Sequence, residues 1–96
     1  MSGYSIREIQ RKKAEMLGVE IKQSTNKKKK LDVFKNDKKI ASIGAIGYKD
    51  FGTYLKEDGL IIALNKRDAY LKRHAKEPKE KNGVKTNSYW ADEILW

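Results

Sequence analysis

The chain has 96 residues, with 22 Lys and Arg against 13 Asp and Glu, one histidine and no cysteine, for a formal net charge of +9. The lack of cysteine excludes disulfides, thiolate catalysis and Cys-ligated zinc or iron–sulfur sites, and a lone His74 excludes a His-rich metal centre, so no cofactor is expected. No run of about 18 apolar residues occurs, so no membrane span is expected, and the opening residues carry no apolar signal segment.

A basic excess of this size attracts polyanions: DNA, RNA, acidic lipid or an acidic protein face. At this length roughly 60–65% of the unfolded surface can be buried, enough for one small domain with a thin core.

Taken in order, Ser5-Ile6-Arg7-Glu8 has capping-box spacing, and Ile6, Ile9, Lys13 and Leu17 recur at helical intervals up to Gly18. This predicts a helical arm over residues 1–18. Ile6, Ile9 and Leu17 form its thin apolar stripe, suited to a protein partner. Val19–Lys22 alternates like a strand, and Lys27, Lys28, Lys29 and Lys30 follow as a run read as a solvated loop or a phosphate-contacting finger.

Leu31–Gly44 reads as a hairpin about Asn36-Asp37, residue types that accept positive φ. A two-residue loop would pair Lys35 with Lys38, Val33 with Ile40 and Leu31 with Ser42. One face would then carry Leu31, Val33 and Ile40, and the other Phe34, Ala41 and Ile43 with Asp32 and Lys39. Gly44-Ala45-Ile46-Gly47 lacks the rest of a phosphate-loop pattern and is read as a sharp turn off the sheet. Asp50 and Thr53 can each cap a helical turn that Gly59 ends.

A long basic helix is predicted over residues 60–76. At about 100° per residue, Leu60, Leu64, Arg67, Leu71 and His74 share one stripe, expected to face the sheet. Asn65, Lys66, Lys72, Arg73 and Lys76 lie opposite as a basic ridge. An inward Arg67 needs a partner, with Asp32, Asp50 and Asp92 as candidates, and His74 is read as a packing residue. Pro78 ends the helix, residues 77–87 read as a mobile loop, and Asn87 or Ser88 caps a closing aromatic segment. Trp90 and Trp96 there either close the core or anchor a partner.

The fold class expected is α+β: a hairpin or three-stranded antiparallel meander packed on one long basic helix, with helices at either end. The expected organisation is a single domain whose sheet-plus-helix core spans residues 19–76, with the aromatic segment at 88–96.

Gly47, Tyr48, Asp50 and Phe51, then Lys66, Arg67, Tyr70, Arg73 and His74, then Leu95 and Trp96, form an ordered set. In this order the chain resembles a family of short basic proteins of large DNA viruses of algae and protists. The resemblance covers residues 31–96 and implies a non-enzymatic protein in the virion, in the cytoplasm or nucleus of an infected cell.

Two functions follow. The first is nucleic-acid binding through phosphate contacts by Lys27, Lys28, Lys29, Lys30, Lys38, Lys39, Lys66, Lys72, Arg73 and Lys76. No Arg/Asn cluster demands base reading, so strong sequence preference is not expected. The second is a minor capsid protein, in a multi-protein assembly, that binds acidic capsid surfaces through Ile6, Ile9, Leu17, Trp90 and Trp96. The acidic residues are scattered among lysines as caps and ion-pair partners, so no catalytic residue is assigned.

Overall fold

The computed structural model describes residues 3–96. Its elements are α1 (Glu8–Met16), β1 (Glu20–Gln23), β2 (Lys29–Lys35), β3 (Lys38–Ala45), α2 (Phe51–Asp58) and α3 (Leu60–Arg73). Then come β4 (Glu80–Lys81), β5 (Val84–Lys85), α4 (Asn87–Trp90) and a π-helical turn over Ala91–Leu95. This is an α+β protein with an antiparallel sheet ordered β1-β2-β3 and a separate β4-β5 ribbon. The chain divides between Tyr48 and Lys49 into two compact units, and the expected 19–76 block spans that division.

In the first unit, α1 begins two residues later than the capping-box reading at Ser5 places it. The side chain of Gln10, not Glu8, reaches back: its Oε1 accepts from the Arg7 amide at 3.0 Å, while its Nε2 donates to Tyr4 Oη at 2.7 Å. Gln10 and Ala14 are the buried line of the helix, with Ile6, Ile9 and Leu17 half-buried beside it. Gly18 (φ +73°) ends it, with the Gly18 amide donating to the Glu15 carbonyl and the Val19 amide to that of Ala14. That pair of bonds defines a Schellman stop, which requires a left-handed residue at this position.

The hairpin closes through Asn36 (φ 52°) and Asp37 (φ 65°), with Lys35 opposite Lys38. Beyond Phe34–Lys39 the register departs from the expected one. A bulge between Val33 and Phe34 leaves Ile40 as an extra residue, so Val33 pairs with Ala41 and Leu31 with Ile43. One added residue exchanges the faces of everything beyond it. Ala41 and Ile43 therefore join Ile21, Leu31 and Val33 in the core, while Ile40 turns out at 38% exposure. The bulge thus sets Ala41 and Ile43 of β3 against Val33 and Leu31 and leaves Ile40 outside the core.

In the second unit, Asp50 caps α2 by accepting from the Thr53 amide at 3.0 Å, and Gly59 (φ +87°) separates α2 from α3. Phe51, Ala63, Trp90, Ile94, Leu95 and Trp96 are the buried apolar residues of this unit. The Tyr70 ring stacks on Trp96 (4.4 Å, 11°), and Tyr54 stands 6.1 Å from the same indole.

Two expectations for this unit are corrected. Residues 77–87 are not simply a loop: Asn82-Gly83 turns a short ribbon between β4 and β5, with φ 54° and 79°. The predicted inward stripe of α3 is open to solvent, with Leu60 at 55%, Leu64 at 42% and Leu71 at 36% exposure. The face that packs is the neighbouring one, through Ala63 and Tyr70.

Candidate nucleic-acid interface

The lysines are held by three separate pieces of local structure. The first is the β1–β2 loop, fixed from within by Asp32. That carboxylate is fully buried and accepts from Ser24 Oγ and Ser42 Oγ, both at 2.7 Å, and from the Thr25 amide at 3.2 Å. Lys39 Nζ stands 3.6 Å away. Burial pushes the Asp32 carboxyl up, but the two serine hydroxyls, the Thr25 amide and Lys39 together outweigh it and hold the group below its usual range. The loop continues the chain of bonds: the Asn26 amide donates to Ser24 Oγ, and the Lys28 amide to Asn26 Oδ1. Lys27 and Lys28 are thus exposed on a turn that these hydrogen bonds hold.

Lys29 opens β2 half-buried, and Lys30 leaves the candidate set altogether. It is only 4% exposed, its Nζ donates to the Tyr48 carbonyl, and it stands 5.3 Å over the Tyr4 ring. β2 is covered on both faces here, since Lys30, Leu31, Asp32 and Val33 are all buried in succession.

The second piece is the hairpin tip, where Lys38 and Lys39 are exposed. It lies at the other end of β2, roughly 20 Å from Lys27 and Lys28 at the usual rise per residue. The two lysine groups of the sheet are therefore separate.

The third piece is α3 with the turn after it. Lys66 and Arg73 are exposed and seven residues apart, hence on one face. Lys72 is held by Asp68 at 3.0 Å, an exposed i,i+4 pair that is easily exchanged for a phosphate. Lys76 lies past the helix end, also exposed. Lys66 Nζ stands 5.7 Å over Tyr54, and the Arg67 guanidinium stands 5.9 Å over Phe51. Arg67 is exposed, so it does not need the carboxylate partner expected of an inward arginine.

Each of those candidate carboxylates has another role. Asp32 ties the loop, Asp50 caps α2, and Asp92 receives Lys79 at 2.7 Å. Burial and the charges of Asp92 and Glu77 push the Tyr70 phenol up to about 12. His74 packs on Tyr70 at 4.3 Å and bonds Glu77, and that hydrogen bond, with one from Ser88, holds the Glu77 carboxyl below its usual range.

Trp90 and Trp96 are each 8% exposed, so the predicted partner anchors are core residues of the second unit. Ile6, Ile9 and Leu17 are half-buried along α1. A depression of about 420 Å³ beside α1 is lined by Ile6, Arg11, Ile21, Thr25, Asp32 and Phe34, among others, but both carboxylate oxygens of Asp32 already have partners. Among the described residues no group of three or more His, Asp or Glu is placed to hold a metal, and no helix is long and apolar enough to cross a membrane.

Sequence reasoning named Tyr48 only within the resemblance and gave it no binding role; its ring is 75% exposed in the turn after β3. Its one signal was an aromatic beside glycine and lysine in Gly47-Tyr48-Lys49, where no apolar period requires burial.

The profile of a family of unknown function (DUF5754) matches residues 19–53, which take in the whole meander, the turn bearing Tyr48 and the Asp50 cap. No curated protein matches the chain, and no solved structure matches it.

Proposed function

We propose that this chain is a small basic, non-enzymatic protein that binds nucleic acid through phosphate contacts without strong sequence preference. The observation that carries the reading is the net charge of +9 together with exposed lysines and arginine on three structured elements. Lys27, Lys28, Lys38, Lys66, Arg73 and Lys76 stand on an ordered loop, a hairpin tip, a helix and the turn after it. Such scattered point charges suit a backbone that is charged along its whole length, and not a small anion. Acidic groups used as caps and ties leave little for acid–base chemistry, which supports the non-enzymatic part. The virion interior as the setting rests on the resemblance of residues 47–51, 66–74 and 95–96 to proteins of large DNA viruses.

A salt series tests it. Wild type should bind a random duplex with a log–log slope of about −5 to −7 if six to eight phosphates are neutralised. Replacing Lys66, Lys72, Arg73 and Lys76 by alanine should flatten that slope by about 3 to 4. Weak binding that the quadruple variant leaves unchanged sinks the reading.

The second reading is a minor capsid protein on an acidic protein surface, favoured by a different observation. Leu60, Ile61 (72% exposed) and Leu64 form an open apolar strip on α3, with Arg67 and Lys72 beside it. Charge complementarity fits this strip to an amphipathic acidic helix. A labelled Glu/Leu helical peptide should bind wild type and lose at least tenfold in affinity to Leu64→Glu. Equal binding to both proteins overturns it.

A further inference from the structure

The turn after β3 has a construction that phosphate binding alone does not use. The Ile46 amide donates to the Lys28 carbonyl at 3.1 Å, extending the β2–β3 ladder by one bond beyond Lys29–Ala45. The Tyr48 amide then donates back to the Ala45 carbonyl at 3.4 Å, across Gly47 at φ +95°. The Tyr48 carbonyl accepts from the buried Lys30. The backbone of Tyr48 is therefore tied at both its amide and its carbonyl, while its ring stands 75% in water.

Single exposed aromatic rings are ordinary on protein surfaces. Two features set this one apart. The buried Lys30, which also lies over the Tyr4 ring, donates to the carbonyl of this residue, so the backbone carrying an exposed ring is fixed by a charged group. The bond between Ile46 and Lys28 also brings Lys27 and Lys28 to the same end of the sheet as Tyr48. An open aromatic face and exposed ammonium groups stand at the same end of the sheet on hydrogen-bonded backbone. A base can cover such a ring only if its own face is not already stacked in a duplex.

We propose that Tyr48 is a stacking platform for an unpaired base of a single-stranded nucleic acid, with Lys27 and Lys28 taking the flanking phosphates. The proposal rests on the phosphate-binding reading and narrows its ligand to single strands at this end of the meander. The surface lies inside residues 19–53, the stretch that the family profile matches.

The experiment is fluorescence anisotropy on a labelled 20-nucleotide oligo-dT and on a labelled 20-base-pair random duplex at one salt concentration. The proteins are wild type, Tyr48→Ala, Tyr48→Phe and the double variant Lys27→Ala/Lys28→Ala. Tyr48→Ala should weaken single-strand binding by roughly 5- to 150-fold, as loss of one stacked base does, and leave duplex binding within about twofold. Tyr48→Phe should retain single-strand affinity, because the ring and not the hydroxyl stacks. The lysine variant should weaken both nucleic acids. With the ring outside the core, unchanged circular dichroism for Tyr48→Ala is the check on folding. If wild type binds both nucleic acids and Tyr48→Ala changes neither, or both alike, the stacking proposal falls and phosphate binding stands. If wild type binds neither, both fall.

Discussion

Replacing Asp32 by alanine is expected to cost the first unit about 2–4 kcal/mol and to release the loop that presents Lys27 and Lys28. Ser24 and Asp32 are fully buried, so removing the carboxylate strands the Ser24 hydroxyl and deprives the Ser42 hydroxyl and the Thr25 amide of a charged acceptor. Lys39 adds little, since its side chain is 46% exposed and rehydrates when the partner is lost. Asp32→Asn keeps the shape and lets the hydroxyls rotate, so it should fall between wild type and alanine. Hydrogen exchange checks this residue by residue. Amides of Thr25, Asn26 and Lys28 should lose protection first in Asp32→Ala, with those of α3 unchanged. A loss below about 1 kcal/mol, or uniform loss across the chain, contradicts the assignment.

The same group sets an acid limit. Its folded carboxyl lies below the unfolded value of 3.8, so the stabilisation is complete above that value and disappears as pH falls through the folded one. Stability of the first unit should therefore drop below about pH 4 in wild type, and less steeply in Asp32→Asn.

What was legible in the sequence was local. Asn36-Asp37 announced the hairpin, Gly18 the end of α1 and Asp50 the start of α2, because each acts through one or two backbone positions. The bulge at Ile40 was not legible, since alternation continues through it in sequence and only the demand for one apolar face selects it. The α3 stripe misled for a related reason. Periodicity identifies which residues share a face, but not which of two faces is covered, and Tyr70 and Ala63 drew the packing to the neighbouring face. Asn82-Gly83 carried a strong turn signal that the surrounding polarity hid.

The candidate interface divides in the same way. Charge is visible in a sequence, whereas accessibility depends on the strand a lysine occupies, and so Lys30 fell out of the set while Lys27 and Lys28 stayed. Tyr48 received no binding role for the opposite reason: nothing in periodicity distinguishes a ring that is presented from a ring that is merely at a turn.

The second large effect is expected at the chain's last residue. Trp96→Ala should cost the second unit about 3–5 kcal/mol, the usual loss for a buried tryptophan. Ile94, Leu95 and Trp96 are 1%, 2% and 8% exposed, three consecutive buried side chains that a single face of an α-helix cannot provide. The π-helical turn resolves this by widening the last coil, with the Trp96 amide donating to the Ala91 carbonyl at 3.2 Å. The indole then lies flat on Tyr70, whose phenol feels the charge of Asp92, and Asp92 holds Lys79. Removing the indole should unfasten that series from its inner end. Trp96→Phe keeps part of the buried area and should lose about half as much. Urea unfolding followed by the fluorescence of Trp90, the tryptophan that remains, gives the stability directly. Alkaline titration gives a second measure. In wild type the Tyr70 phenol ionises near 12, above the unfolded value of 10.0, so its contribution is whole below pH 10 and is lost between there and 12. In Trp96→Ala burial is relieved, the phenol should titrate closer to 10, and that alkaline loss of stability should shrink. A Trp96→Ala protein as stable as wild type, with Tyr70 titrating unchanged, would return this residue to the role of a partner anchor and favour the capsid-binding reading over nucleic acid.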